Sequence, residues 1–467
     1  MKTTTLAAAM LLSLAGCAVG PEHQRPDLPL PAQYPGGDVA AAPAEISDTW
    51  WTLYQQPELD RLVVQALERN RDIEQAVARI EQADALARQA GAALLPRVDL
   101  GGSAGRARVS PLTVPPNGAT GNQYQLGVSA SFELDFWGRV RRTREAARAQ
   151  LLASAYARDT VRLTVSALTT QAWLGLRSLD EQIALTDATL GTRVEGLRLL
   201  NLRLNGGSGS QLDVEQGEGL RAASAVLLRE LQRQRSVLQI QLGVLTGQLD
   251  LALPAMPLGA LPLPPAPPAG LPSALLERRP DVRATEQQLA AASARIGAAR
   301  AEQLPTLSLT GNLGVESAEL GDLLKSPSRV WSFGAGLAQP LFEGGRLAAR
   351  TDQAVAAHRE AQGAYRGAVE DAFKDVADSL ANLRAAQGSQ DDLARADRAA
   401  ANALKLSKAR YDVGYSGHLD LLDAQRTAAA AQLDLVRNRQ AQLAASVDLF
   451  RALGGGWKAA EGTASAR

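Results

Sequence analysis

Apolar positions in this chain repeat with a period of two in some stretches and near 3.6 in others, and the two periods predict different elements. From Tyr124 to Phe136 the alternation is strict. Tyr124, Leu126, Val128, Ala130, Phe132, Leu134 and Phe136 take one face, and Gln125, Gly127, Ser129, Ser131, Glu133 and Asp135 the other. That is a strand with unlike faces. Leu307, Leu309, Leu313 and Val315 against Thr306, Ser308, Thr310 and Asn312 predict a second, Val98, Leu100 and Ala104 a third, and Trp331, Phe333, Ala335 and Leu337 a fourth. Strands are thus expected over about 97–109, 124–136, 305–315 and 330–341. The helical period appears in Leu59, Leu62, Val63, Ala66 and Leu67, ending near Asn70, and again from about Asp72 to Ala93, where Pro96 stops it. From residue 140 to Asn205 no proline intervenes, and Leu176, Ile183, Leu190, Leu197 and Leu204 recur every seven residues, a coiled-coil seam. At about 1.5 Å per residue that helix reaches about 100 Å. A second long helix is expected from Leu347 to Asp412, with Val369, Phe373, Val376, Leu380 and Leu383 alternating four and three. Glycine and serine clusters reverse both helices into hairpins that return over Leu212–Thr246 and Leu419–Leu453.

The two hairpins are copies. Arg203, Asn205, Gly207, Ser210, Leu212, Asp213 and Val214 match Arg410, Asp412, Gly414, Gly417, Leu419, Asp420 and Leu421 at a constant offset of 207 residues. Upstream the offset becomes 209, pairing Asp72-Ile73 with Asp281-Val282, and Leu95-Pro96 with Leu304-Pro305. One unit of strand, strand and long helical hairpin is therefore written twice, at 49–247 and 273–454, around a linker at 248–272 rich in proline, with a tail at 455–467.

Four strands of this length, apolar on one side and small-polar on the other, have the patterning of membrane barrel strands. A soluble two-layer sheet with one wet face is the alternative. Little other sequence is able to cover four apolar strand faces, which favours the barrel. The segments Ser110–Asn122 and Glu316–Arg329, with proline, glycine and polar residues, are its expected external loops, and Glu133, Asp135 and the polar strand face its lumen. Because the smallest natural barrels need about eight strands, the chain must oligomerise to close one.

Charge and composition exclude several classes. Acidic and basic residues number 49 each, so there is no nucleic-acid footprint. Only 4% of residues are aromatic, which argues for long packed helices rather than a large globular core. His23, His358 and His418 lack metal-ligand spacing, and Gly206-Gly207-Ser208-Gly209 lacks the lysine of a phosphate loop. Neither an enzyme nor a resident cofactor is expected. The single cysteine, Cys17, excludes internal disulfides. It follows Lys2 and an apolar run, Leu6 to Leu14, that is too short to span a bilayer and reads as a signal peptide over 1–16. The ending Leu14-Ala15-Gly16-Cys17 resembles the bacterial lipobox. This implies a mature N-terminus at Cys17 carrying N-palmitoyl and S-diacylglycerol groups; a plain cleavage site beside a chance cysteine is the alternative. Ala18 and Val19, in place of an aspartate, resemble an outer-membrane address, and the prolines between Pro21 and Pro43 keep the lipidated segment 17–48 extended.

At the second hairpin tip, Asp420 and Asp423 stand three apart on one helix face. Asp213 sits in a capping-box pattern, Ser210-Gln211-Leu212-Asp213, and Asp423 can pair with Arg426 one turn on.

Taken in order, Cys17 with Val19-Gly20-Pro21 and Arg25-Pro26, Trp50-Trp51, the run Phe132 to Arg139, Arg279-Pro280-Asp281-Val282, the run Gln339 to Arg346, and Leu421-Leu422-Asp423-Ala424-Gln425-Arg426 resemble the TolC/OprM-type outer-membrane factors, in their NodT-like lipoprotein branch. The resemblance implies a mainly α protein with a membrane β-barrel: a homotrimer whose 12-stranded barrel continues as a 12-helix periplasmic α-barrel. It further implies a passive duct that receives small molecules such as drugs from an inner-membrane transporter through a periplasmic adaptor, anchored in outer-membrane lipid. Acids closing the inner end of the tunnel in that family map onto Asp420 and Asp423. A tyrosine matching Tyr411, bonded to an acid matching Asp213, helps hold the closed state, and the arginine completing that latch falls at Ser416 here. Arg426 ends the matching motif. A duct for protein secretion and a non-conducting coiled-coil scaffold are the rival readings.

Overall fold

In a computed structural model of the chain, residues 18–35, 46–108, 110, 120–259, 261–267 and 275–457 are described. A 3-10 turn, Trp50–Tyr54, precedes α1 (Pro57–Arg69), α2 (Arg71–Ala92), β1 (Arg97–Arg108) and β2 (Thr120–Leu134). The first long hairpin is α3 (Arg139–Asn205) with α4 (Gln211–Thr246). Short α5 (Leu275–Arg278), α6 (Pro280–Ala301), β3 (Thr306–Ser317) and β4 (Arg329–Ala338) follow, and then α7 (Arg346–Gly388), α8 (Gln390–Asp412) and α9 (His418–Ala452). Cys17 and the signal segment 1–16 lie outside the described residues, as do parts of the segment 17–48, the linker and the tail. Among the described residues no helix is long and apolar enough to cross a membrane.

The chain divides into two units, and each repeat contributes to both. The first comprises Met1–Asp27, Ala78–Ala155 and Ala284–Arg366. Its strands form one antiparallel sheet in the order β1-β2-β3-β4, so the two repeats are joined where β2 pairs with β3. The register aligns like with like. Leu100 lies opposite Val128, Val128 opposite Leu313 and Leu313 opposite Trp331, while on the reverse face Asp99, Ser129, Asn312 and Ser332 make the matching row. A one-residue slip in any pairing would mix the faces. The apolar face is bare: Leu100 is 75% exposed, Leu313 68% and Trp331 79%. From Tyr124 to Leu134 it extends roughly 34 Å along the strand, which at a tilt of about 40° gives the ~25 Å band of a membrane barrel.

β2 begins at Thr120 and stops at Leu134, two residues short of the alternation. The reason is Asp135, whose carboxylate accepts hydrogen bonds from the backbone of Val140 (2.9 Å) and Arg141 (2.8 Å) and so caps α3. Glu133 in turn takes both arms of Arg139, at 3.0 and 2.6 Å. The expectation that Asp135 lines a lumen is thereby corrected, since its carboxylate is committed to a helix end. The segment Ala18–Asp27 is extended and pinned. Val19 N–H donates to the Trp137 carbonyl (3.0 Å), and Arg25 grips the buried carboxylate of Glu286 at 2.7 and 3.0 Å. Gly20, with φ of +119°, passes so close to α6 that a Cβ would lie 2.4 Å from the Gly297 Cα.

The second unit comprises Leu28–Val77, Tyr156–Arg283 and Gly367–Arg467. Its core gathers Trp50, Trp51, Tyr54, Leu59, Trp173, Leu242 and Phe450. Trp50 stacks on Phe450 with ring centres 5.4 Å apart, and the buried Tyr54 and Ser446 hydroxyls bond at 2.7 Å. The linker is non-helical over 248–259 and 261–267, and charged side chains of both hairpins satisfy its backbone. Arg177 donates to Pro254 O (2.6 Å), Arg235 to Leu253 O (2.9 Å) and Arg439 to Leu261 O (2.6 Å), while Glu181 accepts from Leu258 and Gly259 N–H.

The helix expected from Leu347 to Asp412 is interrupted at Ser389. Its cause is lateral. The Ala386 carbonyl, which should serve the next turn, accepts instead from the Asn438 (3.0 Å) and Gln442 (3.1 Å) amides of α9, and the same amides hold Gln390 Oε1.

Candidate functional site at the hairpin tips

The two tips fold by the same turn. Ser208 N–H returns to Arg203 O at 2.9 Å, and Tyr415 N–H to Arg410 O at 2.8 Å. The residue before each donor is a left-handed glycine, Gly207 (φ 72°) or Gly414 (φ 79°). This is a glycine-terminated helix end, repeated at the sequence offset. Ser210 Oγ caps α4, accepting from Leu212 N–H at 3.1 Å rather than from Asp213 as a full capping box would.

On α9, Leu421 and Leu422 are buried and turn the opposite side of the first two turns outward. Asp420 and Asp423 lie on that outward side, as does Leu419. Asp420 sits in the first turn, where the helix dipole favours an anion. Asp423 bonds Arg426 at 2.6 Å, but the two side chains are 63% and 71% exposed, so the pair contributes less than about 1 kcal/mol.

Across the tip, Tyr411 is held by a residue of the first hairpin. Arg203 Nη1 donates to its hydroxyl at 2.8 Å, and the guanidinium lies 5.1 Å over its ring. The expected partner, Asp213, does not take that hydroxyl; it acts on His418. The His418 ring stands 5.4 Å from that of Tyr411, and both its nitrogens are buried without a hydrogen-bond partner. Burial holds the imidazole below its ordinary pKa; Arg203 pushes the same way and Asp213 opposes. Ser416, standing where the resemblance expects an arginine, has a buried, unbonded hydroxyl, and Arg203 reaches Tyr411 from the other hairpin. Arg203, Tyr411 and His418 border a cavity of about 500 Å3 between α3, α4, α8 and α9, lined also by Arg193, Leu200 and Gly217.

Sequence reasoning missed Arg203 and His418 as site residues. A signal existed: at the 207-residue offset Tyr411 replaces Leu204 and His418 replaces Gln211, so the second tip departs from the first where the contact forms. Because His418 binds a proton more readily unfolded than folded, its contribution to tip stability is complete above about pH 6.5 and declines as pH falls below that. Hydrogen exchange over 411–421, corrected for intrinsic rates, should quicken between about pH 7.5 and 5.5 in the parent and change far less in His418→Gln. Equal acceleration in both would remove His418 from the effect.

The family model described as "Outer membrane efflux protein" matches residues 62–248 and 271–455, one segment for each repeat. The chain belongs to the outer membrane efflux protein family. Over 482 residues it is 35% identical to the toluene efflux pump outer membrane protein TtgF of Pseudomonas putida, with 98% of each chain covered. Outer membrane protein OprJ of Pseudomonas aeruginosa is 36% identical over 453 residues, 96% of this chain and 94% of that one. Among solved structures, the open state of the Neisseria gonorrhoeae MtrE outer membrane channel superposes with a TM-score of 0.85 at 32% identity, covering 95% of this chain and 99% of that one. This outer membrane efflux protein therefore shares the fold of outer-membrane channels, helical barrel plus β-barrel, and the bare apolar sheet face is the part suited to lipid.

Proposed function

We propose that the chain is the passive exit duct of a tripartite efflux system, a homotrimer carrying no active site or cofactor of its own. The observation that carries this is the sheet: one face carries an apolar band across all four strands, the other is small and polar, and β1 and β4 are its edges. Three such four-stranded sheets joined edge to edge make a twelve-stranded barrel, with the polar faces turned to a water-filled lumen. The long helices then extend into the periplasm, where a periplasmic adaptor and an inner-membrane transporter supply substrate and energy. TtgF is named for toluene efflux, which supports small molecules rather than proteins as cargo.

In this reading Cys17 bears the N-palmitoyl and S-diacylglycerol anchor in outer-membrane lipid. The periplasmic gate is formed at the hairpin tips. Asp420 and Asp423 from three chains ring the constriction, where six carboxylates repel one another and attract cations. Arg426 restrains Asp423, and Arg203, Tyr411, His418 and Asp213 tie the second hairpin to the first. Native mass spectrometry of protein extracted from outer membranes tests the assembly: three chains, each heavier by the lipid, are expected, and Cys17→Ser should keep the trimer while losing the lipid mass. A monomer of parent protein would contradict the reading.

A further inference from the structure

The apolar face of the sheet is free of acids along its whole length, yet it carries three arginines. Strand parity places Arg106 and Arg108 on the side of Leu100 and Ala104, and Arg329 on the side of Trp331 and Phe333. The register confirms it: Arg106 lies opposite Asn122, and Arg108 opposite Thr120, on the face of Tyr124 and Leu126, while Arg329 lies opposite Val315. All three stand at the end of the sheet away from the long helices, where β1 ends and β4 begins. They are exposed, and among the described residues none has an ion pair or side-chain hydrogen bond. The contrast with the reverse face is sharp, because there Arg97 is paired with Asp99 at 2.8 Å and Glu316 accepts from Gln123.

Three unpaired cations on a lipid-facing surface need a reason. At a bilayer midplane an arginine costs about 2–4 kcal/mol, falling to roughly 0–1 near the interface, so their confinement to the outer end fits the rim of the band, where the side chains snorkel. Tyr124 and Trp331, just inside that rim, are the aromatic residues of an interfacial girdle. Guanidinium forks matched to nothing among the described residues suit phosphate oxygens, which they bind in pairs. Arg106 and Arg108 lie on one edge strand of the sheet and Arg329 on the other, so edge-to-edge closure would set β4 of one copy beside β1 of the next and bring the three arginines to one seam.

We propose that Arg106, Arg108 and Arg329 form a phosphate-binding rim that holds phosphorylated lipid headgroups of the leaflet facing the strand loops, with the acyl chains lying on the apolar band below. This rests on the reading of the sheet as part of an outer-membrane barrel. The test uses the full-length protein in nanodiscs of a bis-phosphorylated glycolipid, of the same lipid stripped of phosphate, and of a zwitterionic phospholipid, with retained lipid counted by native mass spectrometry. The parent should retain the phosphorylated glycolipid about a hundredfold more strongly than the stripped one, and a combined Arg106→Gln, Arg108→Gln, Arg329→Gln variant should lose that preference. The corresponding triple lysine variant should keep a part of it, and unchanged bilayer insertion of the glutamine variant shows that folding is intact. Equal retention of both glycolipids by the parent, or an unchanged preference in the glutamine variant, overturns the rim alone. Displacement of the lipid by millimolar inorganic phosphate would make this a free-anion site and overturn the lipid assignment. Failure of the parent to enter any bilayer overturns the barrel reading and the rim with it.

Discussion

Replacing Asp180 by alanine is expected to destabilise the protein by about 3–5 kcal/mol, because it leaves a buried arginine without its main counter-charge. The Asp180 side chain is 2% exposed; its Oδ1 meets Arg235 Nε at 2.5 Å, and its Oδ2 meets Arg177 Nη1 and accepts from Met256 N–H, both at 3.1 Å. The Arg177 side chain is fully buried, its guanidinium 5.4 Å over the Trp173 ring. Among the described residues, Glu58, at 3.8 Å, is the one other carboxylate paired with it. Burial pulls Arg177 below its ordinary pKa, and Asp180, ahead of Glu58, works against that pull. The loss should also free the linker, since Asp180 and the two arginines hold Leu253, Pro254 and Met256. A guanidinium-unfolding midpoint measures it. The companion variant Asp180→Ala with Arg177→Met should recover most of the stability, because a buried pair exchanged for apolar bulk often costs little. A single-variant loss below about 1 kcal/mol would show that water reaches Arg177 and that the cluster is not a core.

What the sequence made legible follows the range of the forces involved. Alternation gave the strands and their faces, because side chains in a strand change sides at each residue whatever lies beyond it. The seven-residue seam gave α3, although of its five positions only Leu176 is fully buried, Ile183, Leu190, Leu197 and Leu204 being half-buried. The break at Ser389 was not legible, because the groups that divert the Ala386 carbonyl, Asn438 and Gln442, lie some fifty residues downstream on another helix. Asp135 fits the alternation perfectly and still leaves the strand, since a helix N-terminus five residues on offers its carboxylate two N–H donors. At the tips, the acids on α9 could be read from spacing, but the Arg203 to Tyr411 bond joins residues 208 apart. Spacing within one hairpin could not suggest it; comparison of the two copies could have.

The hairpin tips carry the second large expectation. Asp420 and Asp423 face away from the packed side of α9, and among the described residues only the exposed Arg426 forms an ion pair with either of them. If three copies surround an axis, their charge has no neutralising partner across it, so cations should collect there and the aperture should be narrow. On the proposed gate, removing both carboxylates would take away the negative ring and shorten the side chains at the tip, while the buried Leu421 and Leu422 keep α9 in place.

Planar-bilayer conductance of the purified full-length protein, beside its combined Asp420→Ala and Asp423→Ala variant, is therefore the most direct test of a duct closed at its hairpin tips. Small, cation-selective steps that divalent cations reduce further are expected for the parent, and severalfold larger steps, indifferent to divalent cations, for the variant. Equal, large steps from both proteins would contradict closure by these acids, and the absence of any step from inserted protein of either kind would contradict the duct itself.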